Sequence, residues 1–190
     1  MSITESDRRM WQREIEQLRA EKDEWMRTSP NSPMPHEIRH HMGGLVYFPP
    51  NPAYVFEVKL NKYPNPEKLT MTTSKGKQRD YLRYGYFEFQ IEGKAQRLQA
   101  YMSVPVHGHQ HEEQLFVPFR DSTSGKESYG AARYIDLELN PSGDYVLDFN
   151  LAYNPYCAYS DDYVCPFPPA ENWLQVPIMA GEKNFPRPGH

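Results

Sequence analysis

Residues 87–104 read FEFQIEGKAQRLQAYMSV, and no other stretch of the chain says as much about its fold. Apolar residues recur at every second position on both sides of Glu92-Gly93, namely Phe87, Phe89 and Ile91 before it and Leu98, Ala100, Met102 and Val104 after it. A period of two indicates a β-strand with one buried face, and a residue pair ending in glycine suits a two-residue hairpin turn. The stretch is therefore predicted to be an antiparallel hairpin.

The same alternation extends outward to residues 54–60, 69–73, 135–139 and 145–149. Turns are predicted at Pro64-Asn65-Pro66 and at Asn140-Pro141-Ser142-Gly143, because these residue types favour turns. No helical period separates the strands, which favours an antiparallel meander over a parallel sheet. The predicted fold class is mainly β: a single antiparallel β-barrel or β-sandwich domain with an N-terminal helical arm and a long Pro-rich C-terminal loop.

The arm is predicted to span residues 1–43, and the antiparallel β domain residues 44–190. Trp11, Ile15, Leu18 and Trp25 recur at helical spacing and predict a helix over residues 4–28. Its apolar stripe is expected to pack on the same chain, and the alternative is a homodimer contact through this helix. Ser32 and Pro33 suit the start of a second helix ending near Met42. Residues 151–177 are expected to form the Pro-rich loop.

Composition narrows the classes of partner. The net charge is -4 and the isoelectric point about 6.0, without the basic stripe that a nucleic-acid partner requires. No apolar run has the length of a membrane span, and the charged N-terminus lacks a secretory core, so we expect a cytoplasmic protein with no membrane partner. Cys157 and Cys165 are expected to be two thiols, although a disulfide closing the loop between them is geometrically feasible.

A run of histidines is the most metal-like stretch. Alternate side chains of an extended strand project to one face, so His107, His109 and Glu113 match the HxHxxxE spacing of a cupin's first metal motif, with His111 beside them. The flanking glycines and a second motif are missing, and a solvated polar loop is the alternative. A divalent metal is the one cofactor that the residues suggest, and the cofactor is otherwise unknown.

A dense set of polar residues predicts a binding site. Its members are Asp121, Lys126, Tyr129, Arg133, Asp148, Asn150, Tyr153, Asn154 and Glu182. We expect a pocket formed by the 120–133 loop, the 148–154 strand end and the Pro-rich loop, and a small polar or anionic molecule as its ligand.

Three other interpretations of these residues stay open. One is a hydrolase-type enzyme with Asp148 or Glu127 as general base. Another is a structural or interaction protein whose polar cluster only holds its loop, with an internal salt bridge between Arg133 and Asp148. The residues around Asp121 and Thr123 also suit a turn in which both side chains accept backbone donors.

Three long motifs resemble a known family. The segments PFRDSTSGKESYGAARYIDL, LDFNLAYNPYCAY and CPFPPAENWLQVPIMAGEK are similar to the bacterial and archaeal family called domain of unknown function 1684. The resemblance implies no activity. It does imply that the polar residues from Asp121 to Glu182, together with Cys157, Cys165 and Asn172, occupy motif positions, whereas the histidines do not.

Overall fold

The computed structural model describes residues 5–104 and 114–187. The helices are α1 (Glu5–Thr28) and α2 (His36–Arg39). The strands are β1 (Val55–Lys59), β2 (Asn61–Thr72), β3 (Gln78–Ile91), β4 (Lys94–Ser103), β5 (Gln114–Phe119), β6 (Arg133–Glu138) and β7 (Asp144–Asp148). None of the described helices is both long and apolar enough to cross a membrane.

The strands form two antiparallel sheets. One has five strands in the order β2-β3-β4-β5-β6, and the other pairs β1 with β7. A single apolar cluster includes residues of both sheets, for example Phe87 and Leu115 of the larger sheet and Leu147 of the smaller one. The prediction of a mainly β, antiparallel fold is confirmed. The described strands form a sandwich-like arrangement of two sheets and not a closed barrel.

The hairpin predicted from residues 87–104 is confirmed. Ile91 of β3 pairs with Lys94 of β4, and the two residues between them have φ of 49° at Glu92 and 74° at Gly93. Two successive positive φ angles are those of a type I′ turn, whose twist matches that of the strands it joins. Gly93 adopts this backbone without the steric cost that a side chain would add.

Two other predicted turns have a different role. The residues Pro64-Asn65-Pro66 lie inside β2, where the pairing with β3 shifts register between Lys62 and Glu67; they form a bulge and not a turn, because proline lacks the N–H that the ladder needs. The turn at Asn140–Gly143 exists, with Gly143 N–H donating to the Asn140 carbonyl. The strands on its two sides lie in different sheets, so this turn joins the two sheets.

Strands β4 and β5 separate along most of their length, and a side chain fills the gap. Only Tyr101 and Phe116 pair between them. Further along, the buried amide of Asn172 accepts from Gln99 N at 2.8 Å and donates to the carbonyls of Gln99 at 2.9 Å and Pro118 at 2.8 Å. This amide replaces the missing backbone ladder, and the sequence showed no sign of that role.

The chain after Asn172 continues as an extended segment without being a strand. In this C-terminal segment (residues 171–182), alternate residues are buried in the core: Leu174, Val176, Ile178 and Ala180. Its backbone pairs with the 120–133 loop, since Leu174 N donates to the Arg120 carbonyl at 2.8 Å and Ser122 N donates to the Val176 carbonyl at 3.2 Å. The expected Pro-rich loop over residues 151–177 is therefore extended for much of its length, with short 3-10 turns at Tyr156–Ala158 and Ala170–Asn172.

Helix α1 packs on the body of its own chain. Ile15 and Met26 are buried, whereas Leu18 and Trp25, expected in the packed stripe, are 50% and 38% exposed. The packed side of the helix is more polar than its apolar pattern predicted, because long cationic side chains cover apolar surface while their heads reach polar partners. The homodimer contact through this helix stays a prediction.

The second helix is shorter than its predicted span up to Met42. It begins at His36, after Pro35, and has four residues. Ser32 instead closes the end of α1, where its Oγ donates to the Met26 carbonyl at 2.6 Å.

Candidate functional site

Arg133 lies in a closed network, with a side chain that is 1% exposed. Its guanidinium pairs with Asp121 at 3.1 Å and donates to three carbonyls of the C-terminal segment, those of Ile178, Ala180 and Glu182. These residues alternate, so their carbonyls point the same way. Arg133 thus bonds one edge of the C-terminal segment as a neighbouring strand would.

Asp121 is the partner of Arg133, and the predicted Arg133–Asp148 salt bridge is wrong. The Asp121 carboxylate also accepts from Ile178 N at 2.7 Å and from the N–H and hydroxyl of Thr123 at 3.2 and 2.8 Å. Asp121 thus accepts backbone donors as predicted for this turn, whereas the Thr123 hydroxyl donates to Asp121 and contacts Ser128 Oγ, where a backbone donor was predicted. The many hydrogen bonds to Asp121 compensate the burial of the ion pair.

Asp148 and Asn150 form a second closed cluster at the end of β7. Asp148 accepts from Trp11 Nε1 at 3.1 Å and from the backbone and side-chain nitrogens of Asn150, both at 2.8 Å. Asn150 also bonds both backbone groups of Asn51 at 2.9 Å. The strand ends at Asp148 and a 3-10 turn follows, so the two side chains meet as a cap and not as neighbours on one strand face.

Glu182 is the third buried carboxylate, and it joins the helix to the body. It accepts from Asn154 N at 2.8 Å, from the Tyr159 hydroxyl at 2.5 Å and from Lys22 Nζ of α1. Asn154 also donates through its side chain to the Lys183 carbonyl at 2.8 Å. Every donor to this carboxylate belongs to the protein itself.

The remaining predicted residues lie apart from these networks. Lys126 and Glu127 are exposed, and their carbonyls accept from the side chain and the backbone of Asn184. Tyr129 is half-buried and donates to Cys157 Sγ at 3.7 Å. The structure therefore does not bring the predicted site residues together around one pocket.

A cleft of about 630 Å³ lies beside Tyr153, which forms part of its wall. Its walls come from α1, the start of β3, β6 and residues 153–166. Five aromatic residues line it: Trp25, Tyr134, Tyr153, Tyr156 and Tyr163. Among the predicted site residues, Tyr153 lines this cleft.

The aromatic walls are held in place by the framework. Tyr134 and Tyr153 exchange backbone hydrogen bonds at 2.9 and 3.0 Å, and their rings meet edge to face with centroids 5.8 Å apart. The hydroxyl of Tyr134 donates to the Pro166 carbonyl at 2.5 Å and that of Tyr153 donates to Asp136. Burial raises the pKa of both phenols, so both are neutral at physiological pH.

Two cations face the cleft. Lys22 Nζ lies 5.1 Å from the centre of the Tyr153 ring and is already paired with Glu182. Arg79 of β3 is exposed and also lines the cleft. Within residues 5–104 and 114–187, no carboxylate forms an ion pair with Arg79. The cleft therefore combines flat apolar walls with a guanidinium that can receive an anion.

The predicted metal site cannot be placed. His107, His109, His111 and Glu113 lie outside the described residues. Elsewhere, in the part of the chain that the structure describes, no three histidine, cysteine or carboxylate side chains gather as metal ligands.

These features define a small antiparallel β protein with a docked N-terminal helix and an aromatic cleft. The family described as "Protein of unknown function (DUF1684)" matches residues 40–183. The chain belongs to this family, which confirms the resemblance of its motifs.

The chain is also similar to a solved structure. The chain is 37% identical to an uncharacterised protein of Haloarcula marismortui studied by solution NMR, with a TM-score of 0.70. The match covers 95% of this chain and 97% of that one. None of the curated proteins matches the chain significantly.

Proposed function

We propose that the protein binds a small molecule with an anionic group and a flat apolar part in the cleft between α1 and residues 153–166. The observation that carries the proposal is Arg79, a guanidinium without a carboxylate partner among the described residues, at the edge of an aromatic cleft. Ligand sites are commonly concave and mostly apolar, of about 300–1,000 Å³, with few polar groups that fix orientation. The volume and lining of this cleft fit that description.

The proposal keeps the predicted ligand class and moves its site. The predicted pocket relied on Arg133, Asp148 and their neighbours. The terminal nitrogens of Arg133 and the carboxylate of Asp148 are already bonded to the protein's own backbone and side chains. Tyr153 and the Pro-rich loop belong to both sites. In the cleft, Arg79 holds the anionic group and the rings of Tyr134 and Tyr156 contact the flat part.

A hydrolase-type activity has less support. Asp148 is buried with Trp11 and Asn150 as its donors, and neither it nor Glu127 lines the cleft. A structural role suits the three carboxylate clusters, because each joins segments distant in sequence. The two roles occupy different parts of the molecule and are compatible.

The test compares four probes by NMR on the labelled protein. Phenyl phosphate and benzoate carry both a ring and an anion, inorganic phosphate only the anion, and benzyl alcohol only the ring. We expect the first two to shift the backbone signals of residues 153–166 and of Arg79 at lower concentration than either half-probe. Equal responses to all four probes, or shifts spread over the whole surface, would contradict the proposal.

A matched pair of variants locates the anion. Arg79→Gln removes the cation, and Lys94→Gln removes a cation from an exposed position at the start of β4, opposite the far end of β3. We expect Arg79→Gln to weaken phenyl phosphate binding about tenfold, which corresponds to about 1.4 kcal/mol, and Lys94→Gln to leave it unchanged. Lys22 is unsuitable for this test because it also anchors α1 through Glu182.

A further inference from the structure

Two cysteines that take no part in the carboxylate clusters lie side by side. Cys157 follows Tyr156 in a 3-10 turn, and Cys165 precedes Pro166. The backbone N–H of Cys157 donates to Cys165 Sγ at 3.3 Å. Since the sulfur of one residue touches the backbone of the other, the two side chains extend from neighbouring points, and rotation about their side-chain bonds brings the sulfurs together.

Both backbones are held in this position. Cys165 exchanges hydrogen bonds with Ser74, its N–H donating to Ser74 Oγ at 3.1 Å and its carbonyl accepting from Ser74 N at 2.9 Å. Ala158 N donates to the Pro155 carbonyl at 2.9 Å in the turn that contains Cys157. A disulfide requires Cα atoms roughly 4.4–6.8 Å apart, and this framework keeps the two residues adjacent whether or not they are bonded.

The surroundings of the sulfurs are polar, unlike those of a thiol that only fills an apolar core. Tyr129 O–H donates to Cys157 Sγ at 3.7 Å, and Cys165 Sγ accepts from the backbone N–H of Cys157. The Cys165 side chain, as the largest cause, and the Tyr129 hydroxyl lower the pKa of Cys157 to about 7. The interaction with Cys157 and burial raise the pKa of Cys165. One residue is thus poised as the thiolate and the other as the thiol, the usual asymmetry of reactive pairs.

We propose that Cys157 and Cys165 form a redox-active dithiol that a hydroperoxide oxidises to an intramolecular disulfide at the wall of the cleft. Cys165 lines the cleft itself, and Cys157 contacts Cys165 through the 3.3 Å hydrogen bond from its backbone N–H. This proposal is independent of the bound ligand, because it relies on contacts between the two cysteines.

The reaction balances with hydrogen peroxide as the oxidant. The Cys157 thiolate attacks one peroxide oxygen, the O–O bond breaks, and the departing hydroxide takes up a proton to become water, which leaves a sulfenic acid on Cys157. The sulfur of Cys165 then attacks the sulfenic sulfur, the S–O bond breaks, and the hydroxide leaves as water with the proton of Cys165. Two thiols lose two electrons in total, and one peroxide gains them.

The first test uses the full chain, whose only cysteines are these two. The reduced protein is treated with hydrogen peroxide, beside glutathione as an ordinary thiol, and analysed by mass spectrometry and peptide mapping. We expect both thiols to disappear together, faster than glutathione, into one bond between residues 157 and 165. Persistence of both thiols, oxidation of each residue separately, or bonds between chains would overturn the proposal.

Variants assign the two roles. In Cys165→Ser the sulfenic acid on Cys157 has no thiol to resolve it, so dimedone should label that residue. In Cys157→Ser the remaining Cys165 thiol should react at least tenfold more slowly than Cys157 in the wild type. Equal reactivity of the two single variants would refute the assignment. Because Cys157 does not line the cleft, phenyl phosphate binding by Cys157→Ser separates failure of this proposal from failure of ligand binding.

The pH profile tests the positioning residue. The ionisable groups around the pair are the two thiols, the cations Arg79 and Arg187, and three tyrosines, Tyr81, Tyr129 and Tyr134. Alkylation of Cys157 by iodoacetamide should have a midpoint at pH of about 7 in the wild type. Tyr129→Phe removes one donor to the sulfur and should move this midpoint upward. An unchanged midpoint, with unchanged rates, would show that the tyrosine does not position the thiolate.

Discussion

Replacing Asn172 by alanine should be among the most damaging single substitutions in this protein. Its amide bonds three buried backbone groups of β4 and β5, one N–H and two carbonyls, at 2.8 to 2.9 Å. Alanine leaves all three without a partner, at a cost of about 1–3 kcal/mol for each buried group. Water entering the gap relieves part of this, so we expect a loss of about 3–6 kcal/mol in the free energy of unfolding.

Asn140→Ala is the matched control. Asn140 also makes side-chain hydrogen bonds to backbone, to the Asp144 carbonyl at 2.8 Å and from Ser142 N at 3.1 Å, but it is exposed in the turn between the sheets. Water replaces these bonds, so the expected loss is about 1 kcal/mol or less.

Urea unfolding followed by circular dichroism measures both variants, with thermal unfolding as a second readout. For a chain of this size each kcal/mol lowers Tm by about 2–4 °C, so Asn172→Ala should melt about 6–24 °C below the wild type. If Asn172→Ala loses no more stability than Asn140→Ala, the amide does not replace strand pairing and the reasoning is refuted.

Two further predictions concern backbone packing and pH. Gly181 and Gly143 have nearly equal φ of +78° and +77°, but a Cβ at Gly181 would lie 2.6 Å from a backbone oxygen, whereas one at Gly143 meets nothing within 4 Å. Gly181→Ala should therefore lower the free energy of unfolding by at least about 2 kcal/mol more than Gly143→Ala, because overpacking adds to the φ strain that both variants share. Equal losses of stability in urea unfolding would contradict this. Burial raises the pKa of Asp23, so the folded state holds this proton more tightly, and its contribution to stability is complete below the unfolded pKa of about 3.9 and is lost as pH rises through the raised value. Asp23→Asn keeps an acceptor for Leu45 N–H and removes the titration. The stability of the wild type minus that of the variant should therefore fall as pH rises from about 4 toward neutral. A difference that rises with pH would show that the pKa of Asp23 is lowered and not raised.

Local features of the fold were predictable because neighbouring residues determine them. Glu92-Gly93 places a glycine where the chain needs positive φ, and alternation on both sides identifies the paired faces. The helix from Glu5 to Thr28 follows in the same way from its apolar spacing. The assignment of strands to the two sheets was harder to predict from the sequence, since the turn at Asn140 suits both a hairpin within one sheet and a connection between two sheets.

The partners of polar residues were harder to predict, because several arrangements satisfy the same charges. Arg133 has carboxylates twelve and fifteen residues away, Asp121 and Asp148, and alternation alone does not distinguish them. The structure pairs Arg133 with Asp121 because the C-terminal segment supplies carbonyls that accept from the two terminal nitrogens of its guanidinium. The cleft was missed for a related reason: its walls come from four separate parts of the chain, and only Tyr153 belonged to the polar cluster.

The amide of Asn172 also affects the order in which the chain folds. It reaches Gln99 across 73 residues of sequence, so β4 and β5 cannot complete their junction until Asn172 has been synthesised. Contacts between distant residues slow folding, because the loop between them must close first. A nascent chain that ends before Asn172 exposes unpaired backbone along both strands, which is a template for association with other chains.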